Sequence, residues 1–289
     1  MPSFTAKIVT AITLSILYFP VASRAAALAP ETLKGWEGYI QMENSRVAGR
    51  SPSSPFLWID ESADRQRRVR DGEILTSPVG KNTPKSVSHG LIHHWVGAVF
   101  VPDARLEDVL AVARDYGRYK EYYAPNVLES QPLRESENGN RFSMVMLNKA
   151  LFSKTALDAE FQESYVRLSA KKWYGVVAST RVQQVDNYGQ PDQRKLSPDE
   201  GSGYIWRLYS LSRFEERDGG VYVELEAIAL SRDIPVSMHW LVNPIVRRVS
   251  KGSLEVSLVK TQQAVRSTQS ARNATAVASG MAALRAGNE

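Results

Sequence analysis

An α+β fold is predicted by this sequence, with one antiparallel sheet and a long helix closing the chain. Three observations carry that prediction. Strand-like segments rich in Val, Ile, Tyr and Phe fill the middle of the chain, from Leu91 to Ser231. Apolar residues at helical spacing follow the first strand, at Leu106, Val109, Leu110 and Ala113, and follow the last, at Leu241, Ile245, Val249, Leu254, Leu258 and Val265. Asp218-Gly219, set between two alternating runs, is a type I′ hairpin signature that makes its flanking strands antiparallel neighbours.

The elements follow in order. Residues 1–27 have the layout of a secretory signal peptide: the cation Lys7, the apolar run Ile8–Phe19, then small residues at Ala22, Ala25 and Ala27. The run is shorter than the roughly 20 residues of a spanning helix and ends at Pro20. Export to the periplasm or the exterior is therefore expected, an uncleaved anchor being the alternative. Residues 28–88 form a lead-in too small and broken to hold its own core. Leu33, Trp36 and Ile40 predict an amphipathic helix over 31–47, Ser51-Pro-Ser-Ser-Pro55 breaks it, and Ser62 caps a short helix through Val69. The stretch 78–84 reads as a linker.

The main domain spans 89–267. Leu91–Val101 is a strand stopped by Pro102, and Asp103 is the expected N-cap of the helix that follows. Strands are predicted at 126–133, 141–150, 155–167, 171–186, 203–216 and 220–231, with Asn187–Ser202 a surface loop. Helical spacing resumes over 236–266, with kinks or a break expected at Asn243-Pro244 and Lys251-Gly252. Residues 268–289, rich in Ala, Ser and Asn, read as a flexible tail.

Composition narrows the function classes. The absence of cysteine excludes thiol catalysis, cysteine-ligated metals and a lipid-anchoring cysteine. Loss of Lys7 and Arg24 with the signal lowers the 36 basic residues to 34 against 31 acidic, a net +3. Arg65-Gln-Arg-Arg-Val-Arg70 is the densest basic stretch, and acidic residues surround it. No nucleic-acid partner is expected.

A two-residue loop at Asp218-Gly219 fixes the register of its hairpin. One face receives Arg213 opposite Glu224, Leu211 opposite Glu226 and Tyr209 opposite Ile228, and its paired charges suit solvent. The other receives Phe214 opposite Val223, Ser212 opposite Leu225, Ser210 opposite Ala227 and Leu208 opposite Ala229. Small residues at the centre of that second face leave room for a closely approaching helix or for a ligand, and both readings stay open.

The order of elements and two local motifs carry a resemblance. Asp115-Tyr-Gly-Arg-Tyr-Lys-Glu-Tyr-Tyr-Ala-Pro-Asn-Val127 resembles the segment closing the first helical pair of START-like and polyketide-cyclase-like proteins. Ser231-Arg-Asp-Ile-Pro-Val-Ser-Met-His-Trp-Leu-Val-Asn243 resembles the approach to their C-terminal helix. The resemblance implies a helix-grip fold, in which a curved sheet of about seven strands wraps the long helix around a pocket for a lipid or other apolar molecule. On that reading Leu208, Ser210, Ser212, Leu225, Ala227 and Ala229 line the pocket from the sheet. Met238, Leu241, Val242 and Ile245 face them from the helix, and Tyr119, Tyr122 and Tyr123 stand near an entrance.

Catalytic signatures are sparse. His93 and His94 are adjacent on a strand and point to opposite faces, so they cannot share a metal, and at most one of them faces the pocket. Glu224 and Glu226 share a face at i, i+2, the one assigned to solvent. No zinc-binding helix motif, nucleophile elbow or phosphate loop occurs, and no metal, cofactor or catalytic residue is expected. The expected function is an extracytoplasmic binding or carrier protein for a lipid or apolar small molecule, with transient contact with a membrane. An enzyme of the cyclase or hydrolase type using the same pocket is the alternative.

Overall fold

A computed structural model describes residues 26–49, 54–80, 83–134, 139–150, 153–233 and 239–286; the side chains of 26, 148–150, 153–154, 239–247 and 273–286 are outside the described set. The expected signal peptide lies almost wholly outside these residues. Strand β1 (Ala26–Ala27) precedes helix α1 (Pro30–Ala48), where Pro30 supplies the preset φ of a first helical position. After a 3₁₀ turn at Trp58–Glu61, Ser62 caps α2 (Ala63–Arg70) as expected, its hydroxyl accepting from the Arg65 N–H.

Two short strands, β2 (Leu75–Pro78) and β3 (Lys85–Val87), flank the stretch read as linker. Both pair with β4 (Gly90–Pro102). Helix α3 (Leu106–Arg114) starts two residues later than expected. Asp103 takes a left-handed φ of 60°, and the cap position falls to Arg105, whose N–H donates to the Asp108 carboxylate at 3.0 Å. Asp108 also favours this start by placing negative charge at the helix N-terminus.

A 3₁₀ turn at Tyr116–Arg118 leads into the single turn α4 (Tyr119–Tyr122). Then come β5 (Val127–Arg134), β6 (Asn140–Ala150), β7 (Ser153–Arg167) and β8 (Lys172–Asp186). Beyond the short β9 (Arg194–Lys195) and β10 (Glu200–Gly201) come β11 (Arg207–Arg217), β12 (Gly220–Arg232) and α5 (His239–Ala286). The main sheet runs in the order β2-β4-β12-β11-β8-β7-β6-β5, with β3 beside β4 and β9 beside β8. Every described pairing is antiparallel. Arg217 pairs with Gly220 and the hairpin keeps the expected register along its length.

The architecture is the helix-grip arrangement, an antiparallel sheet with a long C-terminal helix and a small helical lead-in. Two details correct the sequence reading. Helix α5 has no break at Asn243-Pro244 or Lys251-Gly252, and it extends to Ala286 through the segment read as a tail. Gln269 and Arg272 bond Asp108 of α3, and the Ala-rich sequence beyond them favours helix. No helix among the described residues is long and apolar enough to cross a membrane.

Candidate functional site

The sheet has two faces with opposite chemistry. On the concave side, cross-strand pairing aligns side chains into rows. One row runs Trp95, Ala227, Ser210, Val177, Glu163, Asn140, from β4 to β6. A flanking row runs Gly97, Leu225, Ser212, Gly175, Tyr165. On the other flank, His93 pairs with Ala229 and Ala229 with Leu208. This strip holds all six sheet residues expected to line a pocket: Leu208, Ser210, Ser212, Leu225, Ala227 and Ala229. Each is half-buried, whereas Glu224, Glu226 and Ile228, which alternate with them on β12, are buried.

The position of α5 explains the difference. A Cβ on Gly97 of β4 would stand 2.8 Å from Leu258 of α5, so the close helix approach occurs there. Leu254 and Leu258 share a buried cluster with Trp95, Val99 and Val101 of β4. The small residues of β11 and β12 lie beside this contact rather than under it. Met238 lies outside the described residues, as do the side chains of Leu241, Val242 and Ile245.

Polar groups punctuate this strip. The indole N–H of Trp95 is buried without a hydrogen-bond partner among the described residues, its residue only 7% exposed. The Ser210 and Ser212 hydroxyls make no hydrogen bond among the described residues. His93 Nε2 meets Ser231 Oγ at 2.9 Å, and burial pushes its pKa down to about 4, leaving the ring neutral. Glu163 accepts from Tyr116 at 2.6 Å, and burial pushes its carboxyl up to about 7 against that hydrogen bond.

Stacked rings build the wall beyond Glu163. Tyr116 lies on Phe142 with centroids 4.5 Å apart, and Phe142 on Phe161 at 5.1 Å. Tyr119 packs edge-on to both Tyr116 and Phe142 and donates to the Ala113 carbonyl. Tyr122 bonds Asp115 at 3.0 Å and packs on the cluster beneath α5, while Tyr123 meets Thr261 of α5 at 3.0 Å. These contacts give all three tyrosines a role in packing α4.

The convex face corrects the sequence reading most sharply. Arg213, Glu224 and Glu226, expected in solvent, are 2%, 0% and 4% exposed. The lead-in covers them. Trp36 and Tyr39 of α1 join Tyr209, Ile228 and Leu230 in one cluster, while Leu57, Ile59 and Val69 join Ala98, Phe100 and Tyr222 in another. Arg213 bridges Glu224 and Glu226 at 2.7 and 2.6 Å, the Trp58 N–H reaches Glu224 at 2.5 Å, and Arg46 bonds Glu226 at 2.7 Å and Glu43 at 2.6 Å. His94 stands between Tyr39 and Glu226, at 2.9 and 3.2 Å.

Burial pushes the Glu224 carboxyl up to about 7 in spite of Arg213. For Glu226 burial acts upward too, but His94 and the two arginines outweigh it and hold the carboxyl well below the usual range. Glu43, His94 and Glu226 bring ligand atoms within 4.8 Å of one another, a donor set suited to a divalent cation. Arg46 bonds both carboxylates, so a guanidinium already supplies the positive charge there. This cluster fastens the lead-in to the sheet.

No family model and no curated protein matches this chain. Among solved structures, a STAR-related lipid transfer protein from Xanthomonas axonopodis is 17% identical, covering 66% of this chain and 98% of its own at a TM-score of 0.43. Human STARD10 is 14% identical over 74% of this chain and 82% of its own, with a TM-score of 0.42. The Zhui aromatase/cyclase from a Streptomyces species is 12% identical over 61% and 94%, at 0.39. At such scores the likeness transfers neither ligand nor activity.

Proposed function

We propose that this chain is an extracytoplasmic binding or carrier protein for a lipid or other apolar small molecule, held between the concave face and α5. The observation that carries the reading is the half-buried strip of Ala227, Ala229, Ser210 and Ser212 beside, rather than beneath, the helix contact at Gly97. Small, uncharged side chains flanked by Leu208, Leu225 and the ring wall make the mostly apolar surface, with a few placed polar groups, that small-molecule sites present. The N-terminal secretory pattern supports the location, where poorly soluble molecules need shielding from water. Mass spectrometry of organic extracts from natively purified protein tests the reading. A defined apolar molecule near one per chain is the expected result, and an empty extract from protein that also takes up no added lipid overturns it.

A second reading is favoured by one residue. Glu163, buried on the concave side with its carboxyl near 7, is suited to exchanging a proton at neutral pH. An enzyme of the cyclase or hydrolase type would use it as acid or base.

A further inference from the structure

Three polar groups on the concave strip have no partner among the described residues, and their chemistry is specific. Trp95 Nε1 is a donor only, and it is buried. An unmet buried donor costs about 1–3 kcal/mol, a cost a ligand oxygen would remove. Ser210 lies in the same row two strands away, roughly 10 Å at ordinary strand spacing, and Ser212 lies two residues further along β11. Hydroxyls donate or accept, so these two complement either a carbonyl or an alcohol.

Charge on the strip sharpens the ligand class. Apart from tyrosine, the ionisable residues on it are His93 and Glu163. Burial keeps the imidazole neutral, and the carboxyl cannot supply a cation. Arg114, the nearby cation of α3, stacks on Tyr165 and Trp173 at 4.6 and 4.9 Å. A ligand carboxylate or phosphate buried here would meet no free counter-ion among the described residues, which is costly. A plain hydrocarbon would leave the indole N–H unmet.

Resting on the carrier reading, we infer that Trp95, Ser210 and Ser212 form a hydrogen-bonding subsite for the oxygen of an uncharged apolar ligand, a ketone, ester or alcohol. The test uses three probes of matched length, methyl laurate, laurate and tetradecane, displacing the neutral dye N-phenyl-1-naphthylamine from the full chain at pH 8. Methyl laurate is expected to bind about fivefold tighter than tetradecane, the worth of one net hydrogen bond, with laurate the weakest. Trp95→Phe should erase the preference for the ester while leaving tetradecane unchanged. Should that variant fail to fold, Ser210→Ala should lower ester affinity about two- to threefold. Equal affinity for all three probes, or an ester preference that survives both substitutions, overturns the subsite and leaves the carrier reading standing. Displacement by none of the three overturns both.

Discussion

The two faces of one sheet use burial in opposite ways. The convex face carries three charged groups, Arg213, Glu224 and Glu226, yet is closed, because α1 and the turn at Trp58–Glu61 supply partners for the two carboxylates. The concave face carries alanines, serines and leucines yet stays half open, because α5 rests on β4 instead of the sheet centre. Polarity alone therefore does not say which face of a strand meets water. What covers each face decides it, and here the covering elements lie far away in sequence.

The comparison breaks most visibly at Arg213. Arg213→Ala leaves Glu224 and Glu226 buried beside each other, and removing one partner of such a pair costs roughly 3–5 kcal/mol. Urea denaturation should show that loss at neutral pH. A change below about 1 kcal/mol, within the range of a surface pair, would mean that the network does not hold the lead-in down.

The next effect is read by pH. Glu163 and Glu224 are both raised from 4.5 to about 7, so each contributes stability that is fully present below 4.5 and lost as pH rises through 7. Glu226 is lowered, so its contribution is present above 4.5 and lost as pH falls. Stability should peak near about pH 5. Glu163→Gln removes one raised carboxyl and should flatten the decline between pH 5 and 8 by up to about 3 kcal/mol, at 1.36 per unit. An unchanged slope would place the decline on the convex face alone.

The smallest effect on stability separates contact from space. Ala227→Leu adds bulk to the half-buried strip and should change the urea midpoint little, while lowering uptake of any apolar probe at least about tenfold through lost volume. Gly97→Ala should cost about 1–3 kcal/mol, since its new methyl meets Leu258 and Thr76 at 2.8 Å. If the two substitutions cost the same, the strip is packed rather than open.

Local rules made most of the sheet legible. Asp218-Gly219 set the hairpin register, and alternation placed His93 and His94 on opposite faces, because both depend only on neighbouring residues. The shared face of the six positions expected to line a pocket on β11 and β12 follows from that register. The environment of Glu224 and Glu226 was not legible, since pairing with Arg213 at i, i+2 spacing across a hairpin reads the same in water or under a helix. Trp95 and Glu163 were missed for a related reason. A tryptophan in an apolar strand and a glutamate in a polar one carry no mark of a lost partner or a raised pKa, which only packing creates. One trace was available: Glu163 falls in the same alternation class as Phe161 and Tyr165, an acid on an aromatic face.

The lead-in's fastening also constrains the order in which the chain can mature. Tyr39 waits for His94, 55 residues on, but Trp58 and Arg46 wait for Glu224 and Glu226, 166 and 180 residues downstream. Contacts of such separation close late and slow the search for the native state. Until β12 emerges, α1 has no complete dock, and the nascent chain must keep Trp36 and Tyr39 uncovered or shielded by another protein.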